Sequence, residues 1–149
     1  MTEALKRVTI INSAIAVANW FIERNRKESG DLTHLKLQKL LYFAQGWHLA
    51  YYDVPLFEDP IEAWKYGPVV RSVYFALSRR GKNEVIKDPI EGNVVKGVDY
   101  TTLGTPNMAF PDDGAEIFMR SVWKSYAKKS PWELVSMMRS QKGQSILKG

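Results

Sequence analysis

Two histidines, His34 and His48, are the side chains in this sequence best suited to acid–base or metal chemistry, and no cysteine accompanies them. They stand fourteen residues apart in one segment that we predict to be helical, with no carboxylate at metal-ligand spacing. His48 also falls among apolar residues at helical spacing, where a hydrogen-bonded core histidine is commoner than a ligand or a general base. We therefore expect these histidines to be structural.

Carboxylates occur as two adjacent pairs, Glu58 with Asp59 and Asp112 with Asp113. Both pairs lie at predicted starts of elements, where capping or solvation accounts for acids better than acid–base catalysis does. The sequence contains no glycine-rich phosphate loop, no nucleophile elbow and no HExxH zinc motif. These observations predict a protein that is not an enzyme and uses no metal or cofactor. A catalytic site assembled from distant residues is the alternative.

Aromatic and basic side chains are interleaved twice in the chain, from Trp64 to Arg71 and from Trp123 to Lys128. Exposed Trp, Tyr and Arg dominate the binding energy of protein interfaces, and aromatic rings also stack on single-stranded nucleic acid. The competing expectation for each of the five tryptophans is burial in the core, which we expect for most of them. The chemistry present therefore favours binding of a macromolecule over catalysis.

The elements that must position these side chains are mainly helices. Apolar residues at helical spacing predict a first helix from Asn12 to Ser29, ended by Gly30 at a C-cap position. A second, central helix follows Thr33 as N-cap, and two leucines around this start have the spacing of a hydrophobic staple. Its long polar residues fall away from the apolar stripe, so we expect this helix to keep one face in water; they are Lys36, Lys39 and Gln45.

An extended arm, a loop and three further helices complete the prediction. Alternation from Ile61 to Tyr66 predicts a short strand, and Pro68 can then open a helix that stops at Gly81. Residues 82–111 lack a helical period and predict a loop with a small hairpin near NVVKGVDYTTL. The start signals of the last two helices are Asp113 with Glu116 and Ser130-Pro131 with Glu133. The predicted fold class is mainly α: a compact bundle of about five helices with a short strand or hairpin insertion.

Length and composition bound the class of protein. At 149 residues with 45% hydrophobic content, the chain is expected to form a single domain over residues 1–149. No signal-peptide pattern and no membrane-length apolar run occur, and the lack of cysteine fits a reducing compartment, so we expect a cytoplasmic protein without a membrane partner. From Arg120 onward seven basic residues face Glu133 alone, which suits an acidic protein partner or nucleic acid.

The segment HLKLQKLLYFAQGWHLAYYDVPLFEDPIEAWKYGPVVRSVY, residues 34–74, resembles the Panacea domain, the family of SocA-like antitoxins and phage-associated GepA-like proteins. The resemblance rests on four features: the KLQKLLYFAQGWHLA helix, the Pro-Leu-Phe after it, the Ile-Glu-Ala-Trp arm and the Tyr-Gly-Pro-Val turn. AVANWFI before it and VWKSYAKKSPWELV after it sit where the family has helices, which implies a full-length match. Many members carry a Thr-His and then a Pro-Trp near the C-terminus, whereas here Arg139 stands near the expected histidine.

The resemblance implies an antitoxin that neutralises a cognate protein toxin, encoded by an adjacent gene, through direct binding. The family also includes an adaptor that presents its toxin to the ClpXP protease, and its members are not known as enzymes. We expect the partner-binding residues in the arm, the turn and the next helix: Trp64, Lys65, Tyr66, Gly67, Pro68, Arg71, Arg79 and Arg80. Two alternatives stay open. In the first, Tyr66-Gly67-Pro68 is needed only to form the turn between strand and helix and makes no contact with a partner. In the second, the basic C-terminal region binds nucleic acid and the protein is a regulator.

Overall fold

The computed structural model of the protein describes residues 13–65, 67–81, 83–90, 94–95, 98–99 and 114–140. In chain order the elements are α1 (Ala14–Lys27), α2 (His34–Tyr52), β1 (Ile61–Trp64), β2 (Gly67–Val70), α3 (Arg71–Leu77), β3 (Val94–Val95), β4 (Val98–Asp99), α4 (Gly114–Tyr126) and α5 (Pro131–Ser140). Five helices and two short hairpins in these ranges confirm the mainly α fold class. None of the helices in the described part is long and apolar enough to cross a membrane.

Helix α1 has a side-chain cap at its start and a left-handed turn at its end. The Oγ of Ser13 accepts a hydrogen bond from the backbone N–H of Ala16 at 3.1 Å. After the last turn Ser29 has a positive φ of 52°, and the Gly30 N–H donates to the Asn25 carbonyl at 3.0 Å. The predicted end near Gly30 is confirmed, but the left-handed conformation falls on Ser29.

Helix α2 is the centre of the fold and is buried on most sides. Its predicted start is confirmed, because Thr33 Oγ1 accepts from the Lys36 N–H at 3.4 Å and the staple leucines are fully buried. The expectation that one face lies in water is wrong: Lys36, Lys39 and Gln45 are 3%, 1% and 7% exposed. The hairpin of β1 and β2 and the two C-terminal helices pack around α2 and cover the face that the pattern assigned to solvent.

Amide side chains offset the cost of burying polar groups beside these helices. Gln45 Oε1 accepts from the N–H groups of Leu56 and Phe57 at 2.7 and 3.3 Å, and its Nε2 donates to the Phe57 carbonyl at 2.8 Å. On α1, Asn19 pairs both amide atoms with the backbone of Ile90, at 3.1 and 2.7 Å. Each amide thus bonds to backbone N–H and C=O groups as a neighbouring strand would, and so fixes an irregular segment to the core.

Strands β1 and β2 form an antiparallel hairpin with Ile61 opposite Val70. The predicted strand is confirmed over β1. The prediction that Pro68 opens a helix is wrong, because Pro68 lies in β2 and helix α3 begins at Arg71. The backbone stays extended through Val70 because the Val70 N–H is bonded to a side chain of α2 rather than within a helical turn.

The remaining predicted elements are also found. The small hairpin expected within residues 82–111 is confirmed as β3 and β4. At the start of α5 the Ser130 N–H donates to Glu133 Oε1 at 2.9 Å, and the Glu133 N–H donates back to Ser130 Oγ at 3.1 Å. The Asp113 part of the α4 start signal lies outside the described residues. Its partner Glu116 accepts from Trp20 Nε1 at 2.9 Å and so ties α4 to α1.

The hydrophobic core lies between α1, α2 and α4 and is rich in aromatic rings. Phe21 stacks on Trp123 with ring centroids 6.1 Å apart, and Phe43 stacks on Tyr126 at 4.4 Å. The expectation that most tryptophans lie in the core is confirmed in full at Trp123 and in part at Trp20 and Trp47, which pack against the core. Of the five, Trp123 alone is buried, three are half-buried and one is exposed: Trp20, Trp47 and Trp64, then Trp132. Half-burial suits an indole, whose ring is apolar while its N–H needs a hydrogen-bond acceptor.

Candidate partner-binding surface

The two histidines of the sequence are both buried. The Nδ1 of His48 donates to the Val54 carbonyl at 2.6 Å, and the ring is fully enclosed. Burial lowers the pKa of His48, although the hydrogen bond to Val54 acts in the opposite direction. His34 accepts from Gln38 Nε2 at 3.2 Å and packs on the ring of Tyr74. The predicted hydrogen-bonded core histidine is therefore confirmed at His48.

Asp59 is a structural carboxylate. Its Oδ1 accepts from the Ala14 N–H at 2.8 Å in the first turn of α1, and its Oδ2 accepts from Ser72 Oγ at 2.7 Å in α3. One side chain of the connector therefore caps α1 and anchors α3, which agrees with the capping role expected for this pair. The Asp112–Asp113 pair lies outside the described residues. Within the described ranges no group of three His, Asp or Glu side chains could hold a metal ion.

The hairpin of β1 and β2 is fastened to helix α2 by one amide side chain. Gln38 Oε1 accepts from the Val70 N–H at 2.8 Å, and Gln38 Nε2 donates to the Val70 carbonyl at 3.4 Å. Both residues are buried, so these bonds form away from water, where an unmade hydrogen bond is costly. The hairpin therefore has a fixed orientation on the central helix.

Trp64 is held in one position at the end of β1. Its Nε1 donates to Glu62 Oε1 at 2.9 Å, and its ring meets the Tyr74 ring of α3 edge-on with centroids 4.8 Å apart. Lys65 follows it in the turn and is exposed. Because two contacts already fix the indole, little side-chain entropy is left to lose when a partner binds Trp64.

Gly67 begins β2 with a φ of +112°, a conformation that residues with a Cβ rarely adopt. It also packs closely on α2, since a Cβ at this position would lie 2.9 Å from Lys39 Nζ. Burial lowers the pKa of Lys39. A glycine is therefore needed at this position for two reasons, the positive φ and the close approach of Lys39. This agrees with the alternative that Gly67 serves to form the turn.

Arg71 stands at the start of α3 beside the hairpin. Its Nη1 lies 3.8 Å from Glu62 Oε2, and its guanidinium carbon lies 5.3 Å from the centre of the Phe75 ring. Phe75 is 55% exposed. The pair presents a cation and an apolar ring to solvent, a combination enriched at protein interfaces.

Arg79 and Arg80 lie beyond the other end of α3. Arg80 donates from its two terminal nitrogens to the carbonyls of Asp88 and Pro89, at 2.6 and 3.0 Å, and so fastens the 83–90 segment. Both arginines line a cavity of about 1040 Å³ formed with this segment. The structure thus separates these two from the other predicted residues, which it brings together at the hairpin: Trp64, Lys65, Gly67, Pro68 and Arg71. Tyr66 lies outside the described residues.

Two grooves flank the hairpin, and Trp64 borders both. The first, which we name the hairpin groove, has a volume of about 560 Å³ and lies between the hairpin, α2, α3 and the start of α5. Its lining includes His34, Lys39, Trp64, Lys65, Tyr74 and Trp132. The second groove, of about 370 Å³, is bordered by the hairpin and by Met138 and Arg139 of α5. Arg139, which stands near the position of the histidine expected from the resemblance, therefore lies next to the predicted site.

Of the described lining of the hairpin groove, the predicted set contains Trp64 and Lys65; the lining residues that it lacks include Lys39, Tyr74 and Trp132. The helical pattern assigns Lys39 to solvent. Tyr74 has the helical spacing of a buried stripe together with Val70, Val73 and Leu77, so the pattern assigns it to the core. Trp132 carried a usable signal, because it lies two residues before Leu134 and so falls on the opposite side of α5 from this core residue. Its 65% exposure agrees with that position.

The basic C-terminal region is described as far as residue 140. Lys124 and Lys128 are exposed at the end of α4 and just after it, whereas Arg120 pairs with Glu116 at 2.8 Å. Residues 141–149, with two further lysines, lie outside the described part. This region therefore presents exposed cations on α4 and just after it, whereas its Arg139 borders the second groove beside the hairpin.

Comparison with known proteins identifies the family. The family described as antitoxin SocA-like, Panacea domain, matches residues 37–143. This span contains the hairpin, the described lining of the second groove and that of the hairpin groove apart from His34 and Leu35. The chain therefore belongs to the SocA-like antitoxin family with a Panacea domain, which confirms the resemblance noted in the sequence. A curated relative, antitoxin SocA from Caulobacter vibrioides (strain NA1000 / CB15N), is 30% identical over 132 residues, covering 83% of this chain and 70% of the relative. No solved structure matches the chain significantly.

Proposed function

We propose that the protein is the antitoxin of a toxin–antitoxin system and that it neutralises a protein toxin, encoded by an adjacent gene, by direct binding. Membership in the SocA-like antitoxin family and similarity to a protein named antitoxin SocA support this role. The role is one of binding, and the chain needs no catalytic residue, metal or cofactor for it.

The observation that carries the proposed mode of action is the rigid presentation of aromatic and basic side chains at the hairpin. Gln38 fixes β2 on α2, and Glu62 with Tyr74 fixes the Trp64 ring. A partner that docks here would not have to order these groups, so more of the contact energy would appear as affinity. Arg71 and the exposed Phe75 would extend this surface along α3.

The predicted contact residues divide into two parts in this proposal. The hairpin part comprises Trp64, Lys65, Tyr66, Gly67, Pro68 and Arg71. Arg79 and Arg80 would contact the toxin at the far end of α3, where the guanidinium of Arg80 also holds the carbonyls of Asp88 and Pro89. Exposed Arg79 is therefore the better candidate of the two for a toxin contact.

Co-expression tests the proposal. The adjacent gene should arrest growth when expressed alone and should be tolerated when this chain is present. A Lys65→Glu variant should lose at least tenfold in protection, because the change reverses an exposed charge in the middle of the surface without touching the core. Lys124→Glu makes the same change on exposed α4 and should protect as the wild type does. A harmless neighbour, or toxicity that this chain does not relieve, would refute the antitoxin role.

Direct binding can neutralise a toxin in two ways, by masking it or by presenting it to the ClpXP protease. The same co-expression in cells that lack ClpXP separates them. Protection that persists supports masking, and protection that disappears together with a longer toxin lifetime in those cells supports the adaptor mechanism.

A second function, nucleic-acid binding, is favoured only by the cations outside the hairpin. Lys124 and Lys128 are exposed near the end of α4, and further lysines follow in residues 141–149. Such a site would bind duplex DNA with an affinity that falls steeply with salt. The logarithm of the association constant should decrease against the logarithm of the salt concentration with a slope of roughly −0.9 per neutralised phosphate. If variants that lack these lysines still protect against the toxin, the basic region takes no part in neutralisation.

A further inference from the structure

The hairpin groove has apolar walls and a polar floor. Trp64 and Tyr74 form one wall, with ring centroids 4.8 Å apart, and Trp132 of α5 contributes an indole that is 65% exposed. Its volume of about 560 Å³ falls in the range of sites that enclose a ligand group rather than a single water. An exposed tryptophan beside two further rings is the arrangement in which protein interfaces place an apolar anchor side chain.

The charged side chains in the described lining of this groove are lysines. Lys39 and Lys65 line it, and none of its described lining residues is an aspartate or a glutamate. The nearby Glu62 carboxylate is engaged by Trp64 Nε1 and lies 3.8 Å from Arg71, on the side of the second groove. Lys39 is 1% exposed, and burial lowers its pKa, so a carboxylate at this end of the groove would favour the charged form of the lysine.

We propose that the hairpin groove binds an acidic segment of the partner protein. An aromatic or large aliphatic side chain of that segment lies against Trp64, Tyr74 and Trp132, and an aspartate or glutamate beside it faces Lys39 and Lys65. The identity of the partner as the toxin rests on the proposed function, whereas the chemistry of the segment rests on the shape and charge of the groove. A peptide segment can supply both an apolar side chain for the three rings and a carboxylate for the two lysines, one at the floor of the groove and one in the hairpin turn.

Selection from a random heptapeptide library displayed on phage, with the full chain immobilised, tests the chemistry without knowledge of the toxin. We expect the enriched peptides to carry an Asp or Glu within three residues of a Trp, Phe, Tyr or Leu. Selection of neutral or basic peptides, or no enrichment over the bare support, would overturn the inference.

Affinity measurements with one enriched peptide, labelled for fluorescence anisotropy, locate the site. Lys39→Met and Trp132→Ser should each raise the Kd at least tenfold, whereas Lys124→Met removes the same charge from exposed α4 and should change it less than twofold. Equal affinity of the Lys39→Met variant and the wild type would overturn the inference. If circular dichroism shows that Lys39→Met does not fold, Trp132→Ser with Lys65→Met decides the question, because both of these residues are exposed.

The groove and the antitoxin role can fail separately. Peptides that bind through Lys39, in a chain that gives no protection against the adjacent gene product, support the groove and refute the proposed function. A wild-type chain that protects, together with Lys39→Met and Trp132→Ser variants that fold and protect equally well, overturns the groove as the toxin site and leaves the antitoxin role standing.

Discussion

Two requirements meet at Gly67, and they explain why the turn that precedes the predicted contact helix carries a glycine. The backbone has a φ of +112°, and a Cβ would approach the buried Lys39 Nζ to 2.9 Å. Holding a residue with a Cβ in such a conformation costs of order 1–3 kcal/mol. We therefore expect Gly67→Ala to lower the free energy of unfolding by about that amount, measured by urea denaturation with tryptophan fluorescence.

Gly81 provides the matched control for this substitution. A Cβ at Gly81 would also be crowded, at 2.6 Å from Glu84 Cδ, but it would meet a flexible side chain and no positive φ is involved. The Glu84 side chain can move away, so Gly81→Ala should stay within about 1 kcal/mol of the wild type. Equal losses in the two variants would contradict the argument that the backbone conformation of Gly67 sets the cost.

Among the elements, the hairpin of β1 and β2 is bonded to α2 through the buried amide of Gln38. Gln38→Leu removes the acceptor for the buried Val70 N–H and the donor to the Val70 carbonyl, which we expect to cost about 1–3 kcal/mol. The local result should be faster hydrogen exchange at Val70, measured by NMR or mass spectrometry, while amides in the middle of α2 stay protected.

Gln45→Leu is the comparison for this element, because it makes the same change on the same helix. Gln45 holds Leu56 and Phe57 rather than the hairpin. Its variant should accelerate exchange at Leu56 and leave Val70 protected. If both variants accelerate the same amides, the two segments open together and Gln38 is not a separate anchor of the hairpin.

Much of the element structure could be predicted from local signals. The caps at Thr33 and Ser130 and the turn near Gly30 depend on residues three to five positions apart, and each was found close to its predicted place. The start of α3 could not be predicted in this way, because the group that keeps Val70 extended is Gln38, 32 residues earlier. Pro68 is compatible with a helix start and with a strand, and only the tertiary contact decides between them.

The same limit applies to the candidate site. The predicted residues that are close together in the sequence also lie together at the hairpin: Trp64, Lys65, Gly67, Pro68 and Arg71. Lys39 was missed because a lysine off an apolar stripe is normally solvated, and its burial arises from elements far along the chain that fold over α2. Trp132 joins the groove from α5, 68 residues after Trp64, and no spacing rule connects them.

At the scale of the whole molecule, stability should depend on the protonation of His48. The ring is enclosed by the core, with Tyr52 and Phe118 at centroid distances of 4.8 and 5.4 Å, and burial lowers its pKa. An unfolded histidine has a pKa of about 6.5. Between this value and the lower folded pKa the unfolded chain binds more protons, so the free energy of unfolding must fall as the pH drops through that interval.

Urea denaturation at a series of pH values from 7.5 down to 5.5 measures this dependence, and carboxylates contribute little there because they titrate at lower pH. His48→Gln keeps an N–H that can reach toward the Val54 carbonyl but has no titratable ring, so its stability should be lower at pH 7.5 and should fall less than that of the wild type across the series. His34→Gln should retain the part of the fall that His48 causes. A wild-type stability that is constant or rises toward pH 5.5 would contradict the neutral, buried state of His48, and NMR titration of the two rings would show which of them gains the proton.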